Sequence, residues 1–296
     1  MRLLVTGRDG QVAQALLALS GSDVEVVALG RPTLDLTDRA SIERAIAEHR
    51  PDVVVNAAAY TAVDKAESDE AAAYAVNAEG AGHVAAAAAA AGLPVVHIST
   101  DYVFAGDKAG PYVESDPTGP QGAYGRSKLE GERLVAQANP NHAILRTAWV
   151  YGPYGANFLK TMLRLSQTRD LLRVVADQRG TPTYAPDIAE GIVAVSRALV
   201  SAPGDASKRG VFHMVSEGET TWAGFSEAIF SRLAETGGKH VTVEPITTAD
   251  YPTPAKRPAN SRLDTTRFRQ SFGHSLPEWT EGVSRCMAAL AANEAP

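Results

Sequence analysis

The sequence predicts an α/β fold, a doubly wound parallel sheet joined to a smaller α/β lobe, and three observations carry that expectation. Short β-branched runs recur through the first half, at 3–5, 24–27, 53–55, 95–98 and 144–146. They are continuously apolar rather than alternating, as strands are when helices cover both faces of a sheet. Longer stretches of good helix formers separate them, at 11–19, 41–49, 67–91 and 124–138, and that rhythm requires parallel strands with crossover connections.

Taken in order, the first strand meets Thr6-Gly7 and turns directly into a helix at Gln11. Asp38, after Thr37, stands where an N-cap belongs before the second helix. The alanine tract 85–91 lies in the predicted helix 67–91, where small side chains let a helix approach the sheet closely. After about Tyr151 the rhythm decays into isolated strands at 172–175, 211–215 and 241–243 and the proline-rich stretch Tyr251-Pro252-Thr253-Pro254. This divides the chain into a dinucleotide-binding domain over 1–149 and a substrate-binding lobe over most of 150–296. The helices predicted at 187–199 and 222–233 return to the sheet, so the boundary is interleaved.

Composition removes several function classes. There are 28 Lys and Arg against 34 Asp and Glu, a formal net charge of −6, with no basic stripe to hold nucleic acid. A single cysteine, Cys286, leaves no internal disulfide and no cysteine-rich metal site, which fits the cytoplasm. The apolar start meets Gly7 too early for a secretory leader. The weakly polar run 84–98 is interrupted by Gly92, Pro94 and His97, so no membrane span is expected.

The turn Thr6-Gly7-Arg8-Asp9-Gly10-Gln11-Val12-Ala13 carries a GxxGxxA spacing. Glycine permits a tight turn and close backbone approach, and the unpaired N–H groups and dipole of the helix start favour an anion. That is the setting of a phosphate cradle in a Rossmann-type sheet, with Gly7 and Gly10 shaping the turn. At the end of the second strand no acid awaits a ribose 2′-hydroxyl. Arg31 stands there instead, where a guanidinium could pair with a 2′-phosphate, which favours NADPH and leaves NADH possible. An ordinary exposed arginine would read the same way. Asp35-Leu36 follows as a polar and apolar pair able to face an adenine.

Tyr124 and Lys128 are four residues apart in a predicted helix and so share a face. The strand upstream ends Ser99-Thr100-Asp101-Tyr102, placing a hydroxyl at the carboxyl end of the sheet. A phenol with a reference pKa of about 10 needs a nearby positive charge to take part in proton transfer near neutrality. Lys128 supplies one, and Thr100 can hold a substrate oxygen in line. The three suit hydride transfer at a carbonyl.

The order of glycine turn, strand-end hydroxyl and Tyr-x-x-x-Lys resembles the extended, sugar-nucleotide-modifying branch of the short-chain dehydrogenase/reductase superfamily. The stretches from Asn56 to Glu67, Ser99 to Phe104, Arg146 to Tyr151 and Arg257 to Ser261 narrow this to the dTDP-4-dehydrorhamnose reductase family. The resemblance runs nearly end to end. It implies pyrophosphate contacts at Gly10, Gln11 and Val12, adenosine contacts at Asp35 and Leu36, and central cofactor contacts at Ala59, Tyr60 and Thr61. Tyr124 and Lys128 serve cofactor and chemistry alike. Val63, Thr100, Asp101, Tyr102 and Trp149 line the sugar-nucleotide pocket, and Arg257 and Asn260 either receive the diphosphate or lock the second lobe. The implied reaction is NADPH-dependent reduction of the C4 ketone of a 4-dehydrorhamnose nucleotide.

Some relatives bind magnesium through glutamates near the first helix. Here that helix reads Ala13-Gln14-Ala15-Leu16, with no carboxylate, so no metal is expected, and a monomer or weak homodimer follows. Two other readings keep the fold. An epimerase or dehydratase returns the hydride to the same substrate, but Tyr102 stands where the usual dehydratase glutamate follows the aspartate. A non-catalytic reductase-like subunit would lack the acid–base groups, whereas Thr100, Tyr124 and Lys128 are all present.

Overall fold

The computed structural model describes residues 1–294. Its main sheet comprises β1 (Arg2–Thr6), β2 (Glu25–Leu29), β3 (Val53–Asn56), β4 (Val95–Thr100), β5 (His142–Thr147) and β6 (Gly210–His213). All pair in parallel, in the order β6-β5-β4-β3-β1-β2. The winding reverses between β1 and β3, and that reversal opens a crevice at their carboxyl ends.

Successive residues of a strand face opposite sides, and the cores divide accordingly. Leu3, Val5, Val53 and Val55 pack with α1 (Gln11–Ala18) and the helix Ala185–Ser201. Leu4 and Val54 pack with α2 (Arg39–His49) and the alanine-rich helix Ala81–Ala90 on the other face. Both faces are dry, which explains the continuously apolar runs. Asp38 caps α2 by accepting from the Ala40 N–H, as the sequence indicates, and the small side chains of Ala85 and Ala88 are fully buried.

Three sequence expectations are corrected. The single helix expected over 67–91 is interrupted: short helices Val63–Ala66 and Glu70–Tyr74 lead into a π-helical turn, Ala75–Gly80, before Ala81–Ala90. The widened turn aims the Asn77 side chain at the Tyr60 backbone, and it presses the Asn77 carbonyl against the helix Ala123–Ala138. Second, the strand expected at 211–215 is not isolated. It is β6, pairing with β5 and burying Phe212 in the sheet core. Third, the helix expected at 222–233 does not return to the sheet. As Trp222–Glu235 it packs in a separate apolar cluster with Tyr151, Leu159, Val283 and Cys286, beside the parallel pair Leu171–Val175 and Thr242–Ile246. The helix Ala185–Ser201 does cover the sheet, against α1.

The closest helix contact is at Gly131, where a Cβ would lie 2.0 Å from the Asn77 carbonyl oxygen. Gly131→Ala is therefore expected to destabilise the fold by about 2 kcal/mol through overpacking, measured by urea unfolding. Unchanged stability would show that the π-helical turn moves freely.

Candidate active site

A cavity of about 990 Å³ runs along the carboxyl ends of β1 to β5. At one end lies the glycine turn. Gly7 has φ +82°, and a Cβ there would lie 2.9 Å from the Ala58 Cα. Gly10 starts α1 with no side-chain cap, so the first N–H groups of the helix face the cavity unclaimed by a side chain. A bare helix start with no room for a Cβ fits a pyrophosphate. The Gln11 side chain turns away: its Oε1 accepts from Asn157 Nδ2 at 2.9 Å, leaving its backbone to serve the turn.

Arg31 is exposed on the cavity wall, and Arg8, which the sequence reading passed over, lines it too. Asp35 and Leu36 follow. The Asp35 carboxylate accepts from the backbone N–H and hydroxyl of Thr37, which hold it below the usual carboxylate range. Ala59, Tyr60 and Thr61 form the middle of the wall. Asn77 brackets this segment, accepting from the Tyr60 N–H at 2.8 Å and donating to its carbonyl at 3.1 Å. Asn77 also escaped the sequence reading; a lone buried amide in an alanine-rich helix was its signal.

Tyr124, Lys128, Thr100 and Asp101 meet deeper in the cavity. Tyr124 and Lys128 sit on Ala123–Ala138, and Glu132, one turn beyond Lys128, fixes that helix to the sheet. Glu132 is buried, taking both Nε and an Nη of Arg146 (2.9 and 2.7 Å) and the Ser99 hydroxyl (2.6 Å). Thr100 donates to Asp101 Oδ1 at 3.0 Å and lies within hydrogen-bond reach of the Tyr124 phenol. The other Asp101 oxygen is buried and makes no hydrogen bond of good geometry, with the buried Ser261 hydroxyl near the carboxyl; burial pushes this carboxyl up to about 6.

Burial also drives the Tyr124 phenol well above its ordinary value; Thr100 opposes that, while Asp101 and Tyr102 add to it. Lys128 makes no direct hydrogen bond to the phenol. Its ammonium donates to the Ile98 carbonyl at 2.7 Å and lies 3.4 Å from His97 Nε2. Burial brings this lysine down to about 8, against the charge of Glu132. In the ligand-free chain, then, the expected easing of the phenol by the ammonium gives way to desolvation.

Val63, Tyr102 and Trp149 line the remaining wall. Trp149 adopts φ +50°, a strained conformation for so large a residue. Its ring stacks on Trp222 with centroids 3.6 Å apart, so one of its faces is already taken. Arg257 and Asn260 do not line the cavity. Arg257 pairs with Asp64 at 2.6 Å and reaches the Tyr102 hydroxyl at 3.5 Å, one side chain away. Asn260 is held in hydrogen bonds of the locking kind, the second of its two expected roles. Its amide donates to the carbonyls of Lys108 and Gly110, and its oxygen accepts from Arg262, leaving nothing for a ligand. Among the described residues, no group of three or more His, Cys, Asp or Glu is placed to hold a metal ion, and no helix is long and apolar enough to cross a membrane.

Over residues 1–292 the chain matches the RmlD substrate binding domain family. It is 52% identical over 290 residues to dTDP-4-dehydrorhamnose reductase of Sinorhizobium fredii, covering 98% of each chain. It is 41% identical to a probable dTDP-4,6-dihydroxy-2-methyloxan-3-one 4-ketoreductase of Streptomyces antibioticus, covering 100% of this chain and 98% of that one. The crystal structure of dTDP-4-dehydrorhamnose reductase from Bacillus anthracis in complex with NADP is similar at a TM-score of 0.89, with 35% identity and 97% and 99% of the two chains covered. With the glycine cradle, strand-end hydroxyl and buried tyrosine all on one cavity, and near-complete coverage of these relatives, the chain belongs to the dTDP-4-dehydrorhamnose reductase family.

Proposed function

We propose that the chain reduces the C4 ketone of dTDP-4-dehydro-β-L-rhamnose to dTDP-L-rhamnose with NADPH. One observation carries this: Tyr124 and Thr100 lie on the same cavity as an uncapped helix start, so a proton donor shares one site with a dinucleotide cradle. NADPH, when bound, supplies the hydride. Gly7, Gly10, Gln11 and Val12 would hold its pyrophosphate, Arg31 its 2′-phosphate, Ala59 to Thr61 its centre, and Lys128 its nicotinamide ribose.

Tyr124 then delivers a proton to the developing alkoxide. Burial keeps the phenol protonated, the state an acid requires. The phenolate left behind is stabilised by the Thr100 hydroxyl and by the charge of Lys128. Thr100 has one hydrogen, given to Asp101 in the ligand-free chain, and its hydroxyl can turn from there toward the substrate oxygen. The unpartnered Asp101 oxygen accepts a sugar hydroxyl. Trp149, Val63 and Tyr102 shape the pocket, and Arg257, beside Tyr102, supplies a cation for the diphosphate. With a nucleotide sugar as substrate and a lone buried thiol, the enzyme works in the cytoplasm.

The likeness to the Streptomyces ketoreductase favours a second reading, in which the same proton donor serves a different 4-keto sugar. Dehydration suits the site less, because burial pushes Tyr102 up to about 12, too weak an acid to replace a carboxyl.

With the 4-keto nucleotide generated in place by its preceding enzymes, loss of NADPH absorbance is the assay, and no loss refutes the function. Tyr124→Phe is expected to lower kcat by roughly 10²- to 10⁴-fold with NADPH affinity nearly unchanged, as for loss of a general acid. Arg31→Ala should raise KM for NADPH by roughly 10- to 100-fold, the weight of a charged hydrogen bond, and leave KM for NADH alone. An equal change with both cofactors would remove Arg31 from the 2′-phosphate. The pH profile of kcat/KM should be a bell. Below about 6 Asp101 gains a proton and loses the charge that makes it a strong acceptor for the sugar hydroxyl, and above about 8 Lys128 loses the charge that stabilises the phenolate. A profile flat to pH 9 would remove Lys128 from that role.

A further inference from the structure

Three polar side chains cross the sheet beneath the site in one line, at paired positions of three adjacent strands, and the row ends on Lys128 of the helix Ala123–Ala138. Thr6 pairs with Asn56, and Asn56 with His97; all three side chains are buried. The Ala58 N–H donates to Thr6 Oγ1 at 3.1 Å, and the Thr6 hydroxyl donates to Asn56 Oδ1 at 2.7 Å. Asn56 Nδ2 lies 3.1 Å from His97 Nδ1, and His97 Nε2 lies 3.4 Å from Lys128 Nζ.

One direction of hydrogen bonding leaves fewer hydrogens of this row without an acceptor. A backbone N–H can only donate, so Thr6 must accept from Ala58. If the chain ran the other way, with His97 donating from Nδ1 and Asn56 donating to Thr6, the Thr6 hydroxyl would receive two hydrogens. Its own hydrogen would then have no acceptor among the described residues, inside a dry core. In the forward direction the Thr6 hydrogen is placed, while one Asn56 amide hydrogen goes without a partner in either direction: Asn56 then donates to Nδ1, and the single proton of a neutral imidazole sits on Nε2, facing Lys128.

We propose that this row makes His97 a positioning residue, locking its proton on Nε2 and aiming it at Lys128, so that His97 weakens the hold of Lys128 on its own proton. An N–H facing Nζ favours the amine, which can accept it, over the ammonium, which cannot. The amine still donates to the Ile98 carbonyl. The remaining neighbours do not supply this effect. Glu132 pulls Lys128 toward the charged form and is itself clamped by Arg146. His142, from β5, acts on His97 and is held toward neutrality by burial. Tyr124 and Asp101 belong to the substrate side of the cavity. Burial drives His97 itself well below the ordinary histidine range, so it stays a neutral ring with one hydrogen to place. The row thus sets where Lys128 exchanges its proton, and the alkaline limb of the bell above would report that setting.

The inference rests on the proposed reduction only for the part Lys128 plays in it, and the deciding measurements need no substrate. In the ligand-free protein carrying ¹⁵N-histidine and ¹³C-lysine, the His97 ring signals are assigned by their loss in His97→Gln, and Lys128 is titrated through its Cε signal. Nδ1 should be bare and Nε2 protonated. Thr6→Val, which removes the hydroxyl that fixes the direction, should move the proton to Nδ1 and raise the Lys128 midpoint by about one pH unit. Thr6→Ser should keep the wild-type pattern. The alkaline limb of kcat/KM should follow the Lys128 midpoint in each variant. A wild-type ring protonated on Nδ1 or on both nitrogens overturns the proposal without any variant, and so does an unmoved Lys128 midpoint in folded Thr6→Val. A protein with these spectra that reduces no 4-keto sugar would refute the reduction and leave the row standing.

Discussion

The site depends on one buried carboxylate. Glu132 binds Arg146 of β5 through two nitrogens and Ser99 of β4 through its hydroxyl. It lies on the helix face that carries Lys128 four residues earlier and Tyr124 eight residues earlier, so fixing Glu132 fixes both. Ser99 directly precedes Thr100 in the same strand. One set of three hydrogen bonds therefore sets the spacing between a phenol on a helix and a hydroxyl on a sheet. Burying an ion pair brings little net stability, because desolvation offsets the attraction. What it brings here is geometry.

Dryness then decides the charges. Asp101 and Tyr124 rise because water is excluded, and Lys128 falls for the same reason. The groups that exchange protons are all drawn toward their neutral forms, while the fixed dipoles of Thr100, His97 and the Ile98 carbonyl surround them. Such a site need not reorganise when charge develops on a substrate oxygen. It also explains why the lysine looks inward, to Ile98 and His97, rather than toward the phenol.

Much of this was readable in the chain because it is local. The GxxGxxA turn, the Asp38 cap, the hydroxyl at the end of β4 and the Tyr-x-x-x-Lys spacing each involve residues within a few positions of one another, where periodicity and turn chemistry act directly. Contacts across the chain left no such mark. Arg257 meets Asp64 across 193 residues, and the amide of Asn260 is consumed by carbonyls about 150 residues away. The apolar pattern of Val211 and Phe212 announces a strand but not which sheet it joins. The π-helical turn at Asn77 is invisible in a run of alanines that would suit an unbroken helix equally well, because the contact it makes, at Gly131, lies on another helix. His97 reads as one more residue of a buried strand until its neighbours on β1 and β3 are known.

The late arrival of β6 has a consequence for synthesis. When the ribosome has released residues 1–149, β5 is still a bare edge with unpaired backbone groups, and the sheet face later covered by Ala185–Ser201 is exposed. The nucleotide half cannot close on its own while the chain is still emerging. It must wait for a helix and a strand translated after the first part of the other lobe, and for Phe268 and Leu276 beyond them. During that interval the nascent chain presents an open edge and an apolar surface, the features chaperones recognise, and a cut at the apparent domain boundary would make that state permanent.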